Sequence, residues 1–308
     1  MNMEFLRFLE GLRTPFFDKF FSLITHLGEE TIFILVGLVF FWCVNKKKGY
    51  YILSIGFAGT VINQFLKSVF RIERPWVKDK NFTIVESARA EATGYSFPSG
   101  HTQSAVGVFG SIAKLYKNKV VRILCILACV LVPFSRMYLG VHTPADVGVS
   151  IIVAVLLIFG LYPLIEKAME SKKGMRIFFG IMFGVSAAYL AFLLLYNFPA
   201  DIDINNFNSA MKNAYKIMGC VLGIWLAYEI DARYINFETQ AVFWVQILKL
   251  AIGIIPLLLI KSGLKAPLYA LFDGNYIADS IRYFLVTLFA AGIWPMTFKW
   301  FNKLSDKK

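Results

Sequence analysis

Two of the three histidines in the chain stand directly before long apolar stretches, where an imidazole is an unusual choice. His101 ends the segment "FPSGH", and His142 lies within "SRMYLGVHTPAD". A neutral imidazole can attack an electrophile or accept a proton, and a protonated one can donate a proton. The two residues therefore define a candidate site for nucleophilic and acid–base chemistry at the ends of apolar helices.

A carboxylate follows the second histidine at Asp146. Thr143 and Pro144 between them are typical of an N-cap and the first residue of a helix, so Asp146 falls in the first turn. Asp146 either caps this helix alone or also accepts a hydrogen bond from one ring nitrogen of His142. In the second case it fixes the tautomer and leaves the other nitrogen free to attack, and the two roles are compatible.

Three cations, Lys67, Arg74 and Arg136, stand at or just beyond the ends of apolar stretches. A single Lys or Arg in such a place commonly extends its apolar stem and reaches for lipid head groups. That interpretation does not account for the grouping of these cations with the histidines. Cations around a shared point fit a phosphate group, which arginine binds through two parallel hydrogen bonds.

The turn before His101 adds a further feature suited to an anion. Ser99 is a predicted N-cap and Gly100 opens a helix, whose first backbone N–H groups are unpaired and carry partial positive charge. We expect Ser99 and the Gly100 backbone to contact a phosphate oxygen, while His101 protonates the leaving oxygen. An ordinary capping turn with a hydrogen-bonded histidine would have the same sequence.

The elements that must position these residues are apolar helices. The 308 residues are 57% hydrophobic and 17% charged, with a mean hydropathy of +0.61, which is typical of a polytopic membrane protein. The fold class is therefore all-α, since an unpaired backbone is not tolerated in lipid. We expect an amphipathic interfacial segment over 1–28. Nine spans are predicted, near 29–45, 50–70, 101–117, 119–135, 146–165, 176–197, 212–229, 241–261 and 279–298.

The distribution of basic residues predicts the orientation of the chain. Basic segments at 46–48, 114–122 and 167–176 and the basic C-terminus fall on one side of a nine-span protein, which the positive-inside rule makes cytoplasmic. The same loops explain the net charge of +12 without nucleic acid as a partner. The N-terminus is then external. So are the side chains of the candidate site: Lys67, Arg74, His101, Arg136, His142 and Asp146.

Three sequence blocks occur in order: K-x6-RP (Lys67 to Pro75), PSGH (Pro98 to His101) and SR-x5-H-x3-D (Ser135 to Asp146). Together they resemble the signature of the type 2 phosphatidic acid phosphatase superfamily, which includes vanadium haloperoxidases and glucose-6-phosphatase. The resemblance implies a six-helix phosphatase core over 29–200. Residues 201–308, which add about three transmembrane helices, lie outside the signature.

The resemblance also implies roles for the residues in these blocks. His142 would be the nucleophile that forms a phosphohistidine, with Asp146 holding it and His101 acting as acid and then base. Lys67, Arg74 and Arg136 would bind the phosphoryl oxygens together with Ser99 and Gly100. Phosphoryl transfer depends on positioning and on neutralising spread negative charge, so we expect neither a metal nor another cofactor.

The expected partners are the lipid bilayer and a lipid phosphate or diphosphate that is hydrolysed at the external face of a bacterial plasma membrane. Undecaprenyl diphosphate is the first choice of substrate. Phosphatidylglycerophosphate, phosphatidic acid and sphingoid phosphates follow. The sequence does not specify an oligomeric state.

Two other classes of function compete with this one. A metal-dependent hydrolase could use His101, His142 and Asp146 as two histidines and one carboxylate, although nearby cations oppose metal binding. A transporter for anions or lipid head groups could bind the same group without cleaving it, and the intramembrane Lys249 is compatible with that function. A serine hydrolase is excluded because no G-x-S-x-G motif surrounds Ser99.

Overall fold

The computed structural model describes residues 3–305, without the side chain of Ser305, and contains no β-strand in that range. Its α-helices are α1 (Glu4–Gly11), α2 (Pro15–Thr25), α3 (Glu30–Val39), α4 (Lys46–Phe70), α5 (Pro75–Lys78), α6 (Gly100–Leu115), α7 (Lys119–Tyr138), α8 (Pro144–Ala168), α9 (Lys172–Leu195), α10 (Ile204–Ile230), α11 (Phe243–Leu258), α12 (Lys265–Leu271), α13 (Ile277–Leu288) and α14 (Phe298–Ser305). π-Helical turns extend α3, α10, α11 and α13, at Phe40–Val44, Asp231–Ile235, Leu259–Gly263 and Phe289–Ile293. 3₁₀ turns lie at His26–Gly28, Glu86–Ala88 and Trp294–Thr297. The all-helical prediction is confirmed.

Short polar side chains fix where several helices begin. Asn118 Oδ1 accepts a hydrogen bond from Val121 N at 3.1 Å before α7, and Ser171 Oγ accepts one from Gly174 N at 2.9 Å before α9. Thr14 Oγ1 caps α2 in the same way at 3.3 Å, and Pro15 follows it at the first helical position. Each cap satisfies a backbone donor that has no partner within the helix.

The chain divides into two compact units. One comprises residues 1–36, 52–163 and 198–210, and the other comprises 37–51, 164–197 and 211–308. Every candidate site residue belongs to the first unit. The sequence-based division at residue 200 stays a prediction.

Within residues 3–305, six helical segments are long and apolar enough to cross a membrane, so the protein is a multi-pass membrane protein. A bent pair, Pro15–Gly28 with Glu30–Val44, would make a seventh span within residues 3–305. The predicted number of nine is therefore higher than this count. Two predicted spans form helices that do not meet both criteria, since α6 falls short in length and α10 in apolarity. Helix α6 has 16 residues, or about 24 Å at 1.5 Å per residue, and α10 opens on a polar stretch that includes Asn205, Asn206, Asn208 and Lys212.

The N-terminal helices bury some of their apolar side chains in the protein and expose others, and the interfacial location of residues 1–28 stays a prediction. Leu6, Leu9 and Phe21 are buried, whereas Phe8 and Phe16 are 62% and 73% exposed. Arg13 Nε donates to Tyr138 O at 3.1 Å, and Glu10 Oε1 accepts from Thr83 N at 2.8 Å. These bonds join the loop after α1 to the end of α7, and α1 to the loop that follows α5.

The intramembrane Lys249 lies in the second unit, on α11. Its side chain is fully buried, and Nζ donates to Thr239 O at 3.2 Å. The same ammonium lies 4.4 Å from the centre of the Phe298 ring, a cation–π contact. A carbonyl and an aromatic face therefore partner this charge.

Candidate active site

The "PSGH" turn is fixed against the start of α8 by hydrogen bonds of its backbone. Ser99 is fully buried and is the N-cap of α6, where its hydroxyl accepts from Thr102 N at 3.4 Å. Ser99 N donates to Asp146 O at 3.1 Å, and Ser99 O accepts from Ser150 Oγ at 2.9 Å. The N-terminus of α6 and the first turn of α8 are therefore held together.

A reciprocal cap begins α8. Thr143 Oγ1 accepts from Asp146 N at 3.3 Å, and Asp146 Oδ2 accepts from Thr143 N at 2.8 Å. The same carboxylate oxygen accepts from Ser96 Oγ at 2.6 Å. The carboxylate of Asp146 thus accepts two structural hydrogen bonds at the helix start before any contact with His142 is counted.

His142 occupies the turn between α7 and α8 and is 1% exposed. Its backbone N–H donates to Arg136 O at 3.3 Å, and its side-chain Nδ1 lies 3.5 Å from Asp146 Oδ2. That separation lies within the range of an ion pair but exceeds the usual length of a hydrogen bond. Asp146 is therefore beside the imidazole, as expected, but the hydrogen bond between them is not fully formed.

Arg74 joins His142 to two loops. Its Nη1 lies 3.0 Å from His142 Nε2 and donates to Val141 O at 3.0 Å. Its Nη2 donates to Thr93 O at 2.7 Å, and its Nε donates to Gly94 O at 3.1 Å. Every nitrogen of this guanidinium therefore has a partner in the protein.

The contact with Arg74 assigns the tautomer of His142. Arginine has donors and no acceptor, so Nε2 must present its lone pair and the ring proton must be on Nδ1. Burial lowers the pKa of the His142 imidazole below its ordinary value; the Arg74 guanidinium lowers it further, and the contact with Asp146 opposes both. A neutral imidazole with a free electron pair on Nε2 is the form that can attack.

Lys67 and Arg136 are both buried. Lys67 Nζ donates to Tyr95 O and lies 3.4 Å from Ser96 O, so the lysine fixes the segment that leads into the "PSGH" turn. Arg136 is fully buried, and its Nη1 donates to Thr25 Oγ1 at 2.8 Å. Within residues 3–305, Arg136 Nε and Nη2 have no hydrogen-bond partner.

His101 is the second residue of α6, and its Nε2 is also buried without a partner in the described part of the chain. Arg136, His142 and Arg74 are all close enough to His101 to interact with it electrostatically. The site therefore brings together two imidazoles and at least two cations, and several of its buried donors are unpaired. Such donors favour an oxyanion as the ligand.

Several polar residues at the site were not singled out from the sequence. Ser96 contacts Asp146, Thr25 contacts Arg136, and Asn63 Nδ2 lies 3.4 Å from Pro98 O. Asn63 lies one helical turn before Lys67 on the same face of α4, so helical spacing could have identified it. No local pattern marks Thr25, which is 111 positions from its partner in sequence.

The fold and the site together define a helical membrane protein whose buried cations and imidazoles suit an anionic ligand. Sequence models of two related families match this chain. One describes the PAP2 superfamily and matches residues 47–170. The other describes the transmembrane extension of PAP2 superfamily phosphatases and matches residues 215–307. The chain belongs to the PAP2 superfamily and is a lipid phosphatase.

Three curated relatives share about half of the chain. The undecaprenyl-diphosphatase BcrC of Bacillus subtilis (strain 168) is 31% identical over 163 residues, which cover 52% of this chain and 81% of BcrC. Phosphatidylglycerophosphatase B of the same organism is 30% identical, over 48% of this chain and 75% of that protein. A probable sphingosine-1-phosphate phosphatase of Dictyostelium discoideum is 30% identical, over 48% of this chain and 38% of that protein. No solved structure matches the chain significantly.

Proposed function

We propose that the protein hydrolyses a lipid phosphate or diphosphate without a metal, through a phosphohistidine on His142. The observation that carries this proposal is the 3.0 Å contact between Arg74 Nη1 and His142 Nε2, which requires an unprotonated Nε2. A nucleophile thus lies directly beside a cation that can attract the phosphoryl group. The unpaired nitrogens of Arg136 supply a second cation for the same group.

The reaction proceeds in two displacements. In the first, Nε2 of His142 attacks the terminal phosphorus and the bond to the leaving oxygen breaks, which is the lipid oxygen of a monophosphate or the bridging oxygen of a diphosphate, while protonated His101 gives its proton to that oxygen. In the second, His101 takes a proton from water as the water oxygen attacks phosphorus. The N–P bond then breaks, inorganic phosphate leaves, and His142 is neutral again.

Substrate binding requires one rearrangement in this scheme. Arg74 Nη1 points at the lone pair of Nε2, so the guanidinium must transfer this hydrogen bond to a phosphoryl oxygen before attack. Its other bonds, to Thr93, Gly94 and Val141, can stay in place. Arg74 therefore acts as a fixed cation that exchanges one partner, which needs little reorganisation.

The competing two-histidine, one-carboxylate metal centre is opposed by the same contact. A metal on His142 Nε2 would have to replace the guanidinium of Arg74, which is buried and held by three backbone carbonyls. A second positive charge at that place would be repelled without any compensating carboxylate on Nε2. The geometry therefore favours an anion over a cation as the ligand.

The choice of lipid follows from the activities of the relatives. They include an undecaprenyl-diphosphatase, a phosphatidylglycerophosphatase and a probable sphingosine-1-phosphate phosphatase. All three act on a phosphate carried by an apolar tail. We propose undecaprenyl diphosphate as the first candidate, followed by phosphatidylglycerophosphate, phosphatidic acid and sphingoid phosphates.

We further propose that the site faces the outside of a bacterial plasma membrane, with the N-terminus outside and the C-terminus in the cytoplasm. The basic segments at 46–48, 114–122 and 167–176 support this orientation through the positive-inside rule. A single cysteine at Lys80, in a background without the native cysteines, should react with a membrane-impermeant maleimide in intact cells. A cysteine at Lys173 should react only after lysis, and the reverse pattern would invert the orientation.

A substrate panel tests the function directly. Purified protein in detergent is incubated with each of the lipid phosphates and diphosphates named above, with and without EDTA, and inorganic phosphate is measured. We expect at least one lipid to release phosphate at a rate that EDTA does not change. A His142→Ala variant that elutes from a size-exclusion column at the wild-type volume should release none. Release that EDTA abolishes would favour the metal-dependent alternative. Binding without release would favour transport.

A further inference from the structure

Arg136 has an asymmetric environment, in which one side of its guanidinium is held by the protein and the other is unpaired within the described residues. Its side chain is fully buried, yet only one nitrogen, Nη1, has a partner among the described residues, the hydroxyl of Thr25 at 2.8 Å. Nε and Nη2 are both buried and unpaired there. Arg74, by contrast, uses all three of its nitrogens on the protein.

The two unpaired nitrogens of Arg136 lie on one edge of the guanidinium. The Nε–H bond and one Nη2–H bond are parallel in this planar group, and that edge matches two oxygens of a carboxylate or phosphate. Nη1, which Thr25 holds, lies outside that edge. The hydrogen bond to Thr25 therefore fixes the orientation of the guanidinium without using the edge that suits an oxyanion.

Thr25 is itself rigidly placed. It is the last residue of α2 and is 4% exposed. The turn His26–Gly28 follows it and packs on the first residues of α6. A Cβ on Gly28 would lie 2.8 Å from both His101 O and Val132 Cγ1, so nothing larger than glycine fits there. The end of α2 and this turn therefore touch both Arg136 and His101.

This contact comes from outside the matched phosphatase region. The PAP2 superfamily model covers residues 47–170, which include Arg136 and His101 but neither Thr25 nor Gly28. The N-terminal segment thus contributes to a site whose motif residues all lie elsewhere in the chain.

We propose that Thr25 is a positioning residue that orients Arg136 so that its Nε–Nη2 edge receives two phosphoryl oxygens. The inference rests on the proposed phosphatase function. Without the hydroxyl, the guanidinium would lose its anchor and could turn its open edge away from the reacting group. Misplacement of a charged donor by about 1 Å can cost about 10²-fold in rate.

The test compares three variants of the full-length protein in detergent. Thr25→Val removes the acceptor at nearly constant volume, Thr25→Ser keeps it, and Thr25→Ala is a second truncation in case valine disturbs folding. Ser22→Ala is the matched control. Ser22 is on the same helix, and its hydroxyl bonds to Ser87 at 2.6 Å rather than to the site. For each variant, kcat, KM and inhibition by inorganic vanadate, a phosphate analogue, are measured with the best lipid substrate.

We expect Thr25→Val and Thr25→Ala to lower kcat by about 10–100-fold and to weaken vanadate inhibition. Thr25→Ser should restore both, and Ser22→Ala should match the wild type. Introducing Thr25→Val into an Arg136→Ala background should have no further effect on kcat, because Thr25 acts through Arg136.

Other outcomes would overturn the inference. Thr25 does not act through the arginine if Thr25→Val has the kcat and vanadate inhibition of the wild type. The same conclusion follows if Thr25→Val lowers kcat as much in the Arg136→Ala background as it does alone. A Thr25→Ser variant as defective as Thr25→Val would show the same. If one of these results is obtained while the wild type releases phosphate and His142→Ala does not, the role of Thr25 is refuted and the proposed phosphatase function stands. If the wild type releases no phosphate, the proposed function fails and takes the inference with it.

Discussion

Arg74 Nη1 lies 3.0 Å from Nε2 of His142, and this contact determines which nitrogen of the imidazole carries the proton. Because arginine only donates, the lone pair must be on Nε2 and the proton on Nδ1, which faces Asp146 at 3.5 Å. The imidazole is thereby held in the form that a nucleophile requires. A single contact links the cation cluster to the proposed attacking atom.

The pH dependence of the reaction should reflect this arrangement. Burial and the Arg74 guanidinium lower the pKa of His142 below 6.5, so the neutral form persists as the pH falls through that value. On the acidic side, activity should be lost only when the pH reaches the lowered pKa of His142, whereas loss on the alkaline side would reflect the proton that His101 must donate. We therefore expect the acidic limb of kcat/KM to lie below pH 6.5.

This limb must be separated from titration of the substrate, since a phosphate monoester itself titrates near pH 6. The titration of each substrate is measured separately from its ³¹P chemical shift in the same detergent, and the limb that remains after this correction belongs to the free enzyme. A remaining acidic limb above pH 6.5 would contradict the assigned environment of His142.

The two arginines should differ in what their removal costs. Arg74→Ala leaves Thr93 O, Gly94 O, Val141 O and His142 Nε2 without their donors, and each buried unsatisfied group costs about 1–3 kcal/mol. Arg136→Ala removes two donors that are already unpaired. We expect Arg74→Ala to lower the melting temperature more than Arg136→Ala does, and Arg136→Ala to lower kcat by about 10²–10³-fold. Thermal unfolding and enzyme kinetics in the same detergent measure the melting temperature and kcat. A lower melting temperature for Arg136→Ala than for Arg74→Ala would contradict the greater structural role given to Arg74.

Gly100 offers a test of the space beside the helix N-terminus. A Cβ at this position would have only Asn63 Oδ1 within 4 Å, at 3.9 Å, so the fold itself tolerates alanine. The added methyl would occupy the space where we expect a phosphoryl oxygen to approach the backbone. Gly100→Ala should therefore keep the stability of the wild type and lose kcat/KM.

A matched control is Gly160→Ala on α8, where a Cβ would meet no atom within 4 Å. It should leave both stability and kcat/KM unchanged. Equal activity of the two variants would show that the substrate does not approach Gly100.

Local signals made much of the site predictable. Thr143, Pro144 and Asp146 are a helix start in the sequence, and the structure has the corresponding reciprocal cap. Ser99 is the N-cap of α6 for the same reason, because its hydroxyl oxygen accepts a hydrogen bond from the backbone N–H of Thr102, which has no partner within the helix. Such features depend on neighbours within four residues, so the sequence alone contains them.

Contacts between distant segments were not predictable in the same way. Thr25 meets Arg136 only through the packing of the end of α2, and the carbonyl partners of Arg74 come from loops without a regular pattern. Nine spans were predicted, whereas six or seven helical segments within residues 3–305 are long and apolar enough to cross a membrane, because α6 is short and α10 begins with polar residues. Half of the residues of α6 are buried within the protein, and the helix has only 16 residues.

The most direct measurement of the central claim is the identity of the phosphorylated residue during turnover. The enzyme is mixed with a lipid phosphate labelled with ³²P, quenched in alkali within the first turnover, and digested for peptide mapping. Label on His142 that is stable to alkali, labile to acid and absent from His142→Ala is the predicted result. Label on Ser99 or His101, or phosphate release by His142→Ala at the wild-type rate, would contradict the account.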